Sequence, residues 1–102
     1  MRKTFQVKKT TVQWKCNPYF LYCIEFDRIS YQHAVEDFTT GLIWCWENLG
    51  PSIDLQSWRA LRKRATNQVN TVWCWENQTT VHANRIYLAS SKEVDAFLLR
   101  WN

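Results

Sequence analysis

The 102-residue sequence predicts an α+β fold: an antiparallel sheet of about five strands with two or three helices packed on one face. Three observations lead to this prediction. Apolar and polar residues alternate over several short segments, which is typical of strands. Other segments space their apolar residues by three and four, as amphipathic helices do. The length suits one compact domain over residues 1–102 and leaves no room for a second.

The N-terminal part of the chain predicts two strands. Apolar and polar residues alternate over residues 5–16, and the apolar positions change from odd to even numbers near Thr10, which indicates a bulge or a bend. After Asn17-Pro18, the segment 19–26 carries apolar side chains in both parities, as a central strand does. We therefore expect this second strand to be covered on both faces.

A helix and a third strand are predicted next. Ser30 can cap a helix whose apolar residues recur at spacings of three and four, and Gly41 is placed to end it. Residues 42–48, Leu-Ile-Trp-Cys-Trp-Glu-Asn, alternate again and predict a strand. Asn48-Leu49-Gly50-Pro51 then predicts a turn.

The clearest amphipathic helix begins near Ser52 or Asp54. Its apolar stripe consists of Leu55, Trp58, Leu61 and Ala65. Because this stripe is narrow and apolar, we predict that it docks on the sheet.

The C-terminal part predicts a hairpin and a short helix. Residues 71–77 and 81–88 predict paired strands around a turn at 78–80. Ser90 and Glu93 have the spacing of a capping box, and Val94 and Phe97 supply an apolar helix face. Residues 98–101 either continue this helix or form an edge strand.

The cysteines are expected to be reduced. The basic N-terminus is followed by no apolar run of secretory or membrane-spanning length, so we expect a cytoplasmic protein without membrane contact. Disulfides are rare in that compartment. The spacings of Cys16, Cys23, Cys45 and Cys74 lack the short pairs that clamp zinc, so buried thiols are preferred over a zinc site assembled by the fold. We predict no metal and no cofactor, and two glycines are too few for a glycine-rich phosphate loop.

The pentapeptide Trp-Cys-Trp-Glu-Asn occurs twice, at 44–48 and 73–77. If both copies are neighbouring strands, four tryptophans form an aromatic wall on one face and are candidate partner-binding residues: Trp44, Trp46, Trp73 and Trp75. The wall either packs beneath the helices or forms an exposed stacking or docking surface. A third interpretation makes Glu47 and Glu76, on the opposite face, an acid and base pair.

Charge is segregated along the chain. Residues 1–15 carry five basic residues and no acid, whereas 16–57 have a net charge of −5. Four basic residues then follow closely and are further partner-binding candidates: Arg59, Arg62, Lys63 and Arg64. Three interpretations of these residues are open: they form a solvated helix face, they contact phosphates of a nucleic acid, or they bind the acidic flank of another copy of the chain. The two histidines, His33 and His82, lie in no catalytic motif, so we predict no catalytic residue and no enzyme.

The C-terminal segment resembles the ending of many small uncharacterised proteins encoded by tailed phages. The resemblance lies in Arg85-Ile86-Tyr87-Leu88, the Ser90 cap and the run Phe97-Leu98-Leu99-Arg100-Trp101. It implies a product of the bacterial host cytoplasm that binds host or phage macromolecules, and it carries over no functional residue.

Two functions follow from these patterns. The first is a small non-enzymatic binding protein that interacts with a host protein or with its own copy. The alternative is a nucleic-acid-binding module that uses the basic N-terminus and the 59–64 helix face together with aromatic stacking.

Overall fold

A computed structural model describes residues 5–27, 33–64, 69–78 and 83–100. Over these residues the fold is α+β, with a four-stranded antiparallel sheet and three helices. The strands are β1 (Gln6–Lys9), β2 (Tyr22–Asp27), β3 (Trp73–Gln78) and β4 (Ala83–Leu88). The helices are α1 (Ala34–Leu49), α2 (Leu55–Arg64) and α3 (Ser91–Arg100). The strand order in the sheet is β1-β2-β4-β3, so β2 and β4 are central.

Both faces of the sheet are covered. The first face carries Ile24, Ile86 and Trp73, which pack in one core cluster with residues of α1 and α3. The second face carries Cys23, Cys74 and Tyr87, which pack with α2 and with the segment 10–21. The prediction of two or three helices on one face therefore holds for α1 and α3 and is wrong for α2. The physical reason is that β2, β3 and β4 have buried apolar side chains in both parities, so each face needs its own cover.

The predicted strand at 42–48 is also wrong, because these residues belong to α1. Ala34, Phe38, Gly41 and Cys45 are buried at spacings of four, three and four, which is one helix face. Gly41 does not end the helix. A Cβ there would lie 3.0 Å from Ile86 Cδ1, so glycine allows α1 to approach the sheet closely. The helix ends at Leu49, before Gly50 with φ +90°. The described part of the sheet thus has four strands and not five.

The first predicted strand is shorter than expected. The parity change near Thr10 marks the point where the chain leaves the sheet, and β1 ends at Lys9. The segment 10–21 then folds back. Its ends are joined by hydrogen bonds from Thr10 N to Leu21 O (2.8 Å) and from Thr10 Oγ1 to Phe20 O (2.7 Å). The chain returns to the sheet in β2, whose two-sided burial confirms a central strand.

The predicted start of α2 near Asp54 and the predicted capping box of α3 are confirmed. Asp54 Oδ2 accepts a hydrogen bond from Ser57 N (3.1 Å) at the start of α2. Glu93 Oε1 accepts hydrogen bonds from Ser90 N (3.0 Å) and Ser90 Oγ (2.6 Å) at the start of α3. Helix α3 continues to Arg100, which favours the helical alternative for the C-terminal residues.

Some predictions lie outside the described residues. They concern the basic residues at 1–4, the Ser30 cap, Ala65, the turn at 79–80, His82 and Trp101. Among the helices that are described, none combines the length and the apolar character needed to cross a bilayer.

Trp58 provides the sharpest test of the packing on the second face. It is 1% exposed, whereas Trp46 on α1 is 53% exposed. We expect Trp58→Ala to lower the free energy of unfolding by about 3 to 5 kcal/mol, because a buried aromatic side chain is removed. The matched change Trp46→Ala should cost less than about 1 kcal/mol. Denaturant unfolding of both variants measures the difference, and equal costs would contradict the docking of α2 on this face.

Candidate functional site

Trp58 organises the junction between α2 and the segment 10–21. Its ring packs against Phe20 at a centroid distance of 4.9 Å and against Tyr19 at 5.2 Å. Its indole Nε1 donates a hydrogen bond to Asn70 O (2.7 Å). The buried tryptophan therefore fixes α2 beside the loop that precedes β2.

A groove of about 560 Å³ lies at this junction. We call it the basic groove, and it is lined by Lys15, Tyr19, Trp58, Arg59, Arg62 and Lys63 together with Asn17 and Pro18. The Arg62 guanidinium lies 4.3 Å from the centroid of the Tyr19 ring and 5.7 Å from that of Trp58, which is cation–π geometry. The lining residues include four cations and no acid. The basic groove is thus suited to an anionic ligand that also contains a planar group.

The structure brings most of the predicted basic residues together. Arg59, Arg62 and Lys63 line the basic groove, whereas Arg64 is exposed at the end of α2 and is not among the lining residues. Lys15, from the basic N-terminal segment, also lines the groove. Sequence reasoning missed Tyr19, which is 45% exposed, because no local spacing indicates that it contacts a helix about forty positions later.

A second cavity, of about 310 Å³, adjoins the basic groove at Lys15. We call it the Trp14 pocket. It lies on the second face of the sheet and is lined by Gln13, Trp14, Lys15, Glu76, Arg85 and Tyr87, with Leu55 at its edge. No sequence pattern indicates this pocket, since its residues come from separate segments of the chain.

A row of charges crosses the second face beside the pocket. Glu25, Arg85 and Glu76 are directly paired across β2, β4 and β3. Glu25 accepts hydrogen bonds from Lys8 Nζ and Arg85 Nε, both at 2.8 Å. The Glu25 and Arg85 side chains are only 12% and 19% exposed. Burial by itself would raise the pKa of Glu25, but the bonds and charges of Lys8 and Arg85 outweigh it and lower the pKa.

Trp14 and Tyr87 complete the wall of the pocket. The Arg85 guanidinium lies 4.8 Å from the Trp14 ring centroid, and the Trp14 and Tyr87 rings meet edge to face at 6.4 Å. The Tyr87 hydroxyl donates a hydrogen bond to Glu76 Oε1. Burial, and then this bond, raise the pKa of Tyr87. The hydroxyl is therefore a hydrogen-bond donor and not a base at neutral pH.

The predicted aromatic wall does not form, because the first pentapeptide is helical. Trp73 is fully buried and its Nε1 donates to Gly50 O (2.7 Å), so it is inaccessible to a partner. Trp44 packs edge to face on Phe97 at 5.5 Å, and Trp75 packs against the first-face core. Trp46 alone among the four tryptophans is more than half exposed.

Trp46 belongs to an apolar stripe on α1. Val35, Ile43 and Trp46 are 52%, 54% and 53% exposed. Their spacings of eight and three place them on one side of the helix. We call this the α1 stripe.

The four cysteines are buried in the two core clusters. Cys45 lies in the first-face core, whereas Cys16, Cys23 and Cys74 lie in the second-face core. All four are buried free thiols. Burial raises their pKa values, to about 11 for Cys16 and about 12 for Cys45, which disfavours the nucleophilic thiolate.

The proposed acid and base pair is also separated. Glu47 lies on α1, which covers the first face, whereas Glu76 lines the Trp14 pocket on the second face. Within the described ranges, no group of three or more His, Cys, Asp or Glu residues is arranged to hold a metal ion.

Comparison with protein-family models, with curated proteins and with solved structures finds no significant match to this chain.

The Glu25 pair yields a test by pH. Because the folded pKa of Glu25 is lowered, its stabilising effect is present above its unfolded pKa of about 4.3 and disappears as pH falls through the folded value. We expect Glu25→Gln to cost about 2 kcal/mol at pH 7, since charged hydrogen bonds are removed, and less as the pH falls below about 4. Urea unfolding at several pH values measures this difference.

Glu47→Gln, at an exposed position on α1, is the control and should change stability little at any pH. A cost of Glu25→Gln that stays the same at pH 7 and pH 3 would mean that shape, and not charge, accounts for the role of Glu25.

Proposed function

We propose that this protein is a small non-enzymatic binding protein whose basic groove binds the backbone of a single-stranded nucleic acid. The observation that supports the proposal best is the convergence of four cations, from two distant segments, on one groove with aromatic walls. Neutralising phosphates with Lys and Arg releases condensed counterions and gives most of the affinity of such proteins. Aromatic or guanidinium planes then provide stacking surfaces for unpaired bases.

The geometry of the basic groove favours a strand over a small anion. Arg59 and Lys63 are exposed one helical turn apart on α2, and Lys15 lies in the opposite segment. Cations spread in this way suit several successive phosphates. The Arg62 guanidinium and the half-exposed Tyr19 ring line the same groove and provide planar groups for bases to contact.

The distribution of acids also supports this proposal. From the sequence alone, the acidic middle of the chain argues against phosphate binding, because it would repel phosphate if it shared a face with the basic residues. Of the six acids in residues 16–57, Glu25 is paired with Lys8 and Arg85, and Asp54 accepts a hydrogen bond at the start of α2. In the fold, Glu36, Asp37 and Glu47 lie on α1, over the first face, and the basic groove is on the side of the second face. The cations of the groove are thus separated from these acids by the sheet.

A second candidate function is protein binding through the α1 stripe. Its three exposed apolar side chains, next to Glu36 and Glu47, suit a partner with apolar and basic groups, such as the α2 side of another copy. We propose the bacterial host cytoplasm as the place of action for either function, as the phage resemblance implies.

The salt dependence of binding tests the first proposal. We expect Arg59→Ala/Lys63→Ala to flatten the slope of log affinity against log salt by about one unit for each phosphate that the variant no longer neutralises. Fluorescence anisotropy with a labelled thymidine oligonucleotide, titrated at several salt concentrations, measures the slope.

The matched control is Lys9→Ala/Lys92→Ala, which removes the same charge from exposed positions outside the basic groove. This control should retain the wild-type slope apart from a small general effect. Equal slopes for the two double variants, or no binding by the wild-type protein near 0.1 M salt, would contradict the proposal.

The α1 stripe has its own test. If it binds another copy, sedimentation velocity should show a concentration-dependent dimer that Trp46→Glu abolishes, because a charge replaces an exposed ring. Val12→Glu, at a position that is 89% exposed outside the stripe, should leave the dimer intact. A wild-type protein that stays monomeric at all concentrations would exclude self-association through α1.

A further inference from the structure

The Trp14 pocket has a chemistry different from that of the basic groove it adjoins. The groove is lined by cations, whereas the pocket combines the Glu76 carboxylate with the Arg85 guanidinium, the Gln13 amide and an indole ring. Lys15 lines both cavities, so the two cavities are neighbours on the second face.

The Glu76 carboxylate can accept more hydrogen bonds than the one it accepts from Tyr87. Its Oε1 accepts a bond from the Tyr87 hydroxyl, and a carboxylate offers about four lone-pair sites in total. The neighbouring cation, Arg85, is paired with Glu25 on the other side, and Glu76 itself forms no ion pair with a described residue. Glu76 is thus a half-buried acceptor at the pocket wall.

These groups limit the class of ligand. A purely apolar ligand would desolvate Glu76 and Arg85 without compensation. A simple anion would meet the Glu76 carboxylate, and a base pair would have its hydrogen-bonding edges already occupied. A single planar heterocycle with N–H donors satisfies the carboxylate and can contact the part of the Trp14 ring that lines the pocket.

We infer that the Trp14 pocket receives one unstacked nucleobase of the strand bound in the basic groove, and that it prefers guanine. Guanine presents its ring N1–H and its amino group side by side to a carboxylate, and its O6 accepts from a neighbouring donor such as Arg85 or Gln13. Adenine and cytosine offer an amino group beside a ring acceptor. Thymine places a carbonyl on each side of its N–H, and both would face Glu76. This inference rests on the proposed function.

Anisotropy titrations with four labelled oligonucleotides test the inference. The strands are all-thymidine, or thymidine with one central guanosine, adenosine or cytidine. For the wild-type protein we expect the guanosine strand to bind about tenfold more tightly than all-thymidine, which is the discrimination of one good bidentate contact. Glu76→Gln should abolish this tenfold preference for the guanosine strand, because an amide NH2 donor replaces one carboxylate oxygen that accepts. Circular dichroism checks that the variant is folded.

Two controls separate the pocket from the groove. Glu47→Gln makes the same chemical change on α1 and should keep the ratio. Arg59→Ala/Lys63→Ala should weaken all four strands and keep the ratio, because the groove contacts phosphates. If Glu76→Gln does not fold, Glu76→Asp replaces it in the test. This variant keeps the negative charge on a side chain that is one methylene shorter, so it should also abolish the preference for guanosine.

The outcomes distinguish the two proposals. Equal affinities of the wild-type protein for the four strands, or a preference for another base, overturn the guanine pocket while nucleic-acid binding stands. A guanine preference that survives in folded Glu76→Gln also overturns it. Failure of all four strands to bind overturns the proposed function, and the pocket inference with it.

Discussion

The paired charge of Arg85 is the interaction on which the second face of the sheet depends. Its side chain is only 19% exposed, and such a charge is tolerated only when it is paired and hydrogen-bonded. Glu25 provides the ion pair from β2, and the Trp14 ring lies over the guanidinium. These contacts hold the segment 10–21 against the sheet. Because that segment also carries Lys15 and Tyr19, the basic groove and the Trp14 pocket both require that Arg85 stay in place.

The two faces of the sheet have different chemistry. The first face is an apolar core in which phenylalanine rings pack in tilted or edge-to-face contacts, for example Phe5 with Phe26 at 5.4 Å and Phe26 with Phe38 of α1 at 5.6 Å. The second face is apolar only under α2 and becomes charged towards the Trp14 pocket. This division suits a binding protein, since one face supplies stability by burying apolar area and the other keeps polar groups within reach of a ligand. The basic groove and the Trp14 pocket therefore lie on the second face of a sheet whose first face is packed against α1 and α3.

The repeated pentapeptide shows how weakly five residues specify their own conformation. At 44–48 it is helical, with Cys45 buried and Trp46 exposed, whereas at 73–77 it is a strand with Trp73 and Cys74 buried on opposite faces. The flanking residues decide between these structures. Phe38 and Gly41 extend a helical stripe into the first copy, and Asn70 holds the second copy at its start, since its Oδ1 accepts from Val72 N at 2.7 Å. Local propensity is a small energy beside such packing.

The sequence by itself determined the α+β class, the amphipathic helix over Leu55 and Trp58, the capping box of α3 and the two-sided burial of β2, because each depends on residues close together in the chain. It also supplied Arg59, Arg62 and Lys63 as candidate binding residues. Only the tertiary structure decided that residues 42–48 are helical, that α2 covers the second face, and that Lys15, Tyr19 and Glu76 join the sites. The physical reason is that these features depend on contacts between distant segments, whose burial energy outweighs local patterns such as the alternation at 42–48.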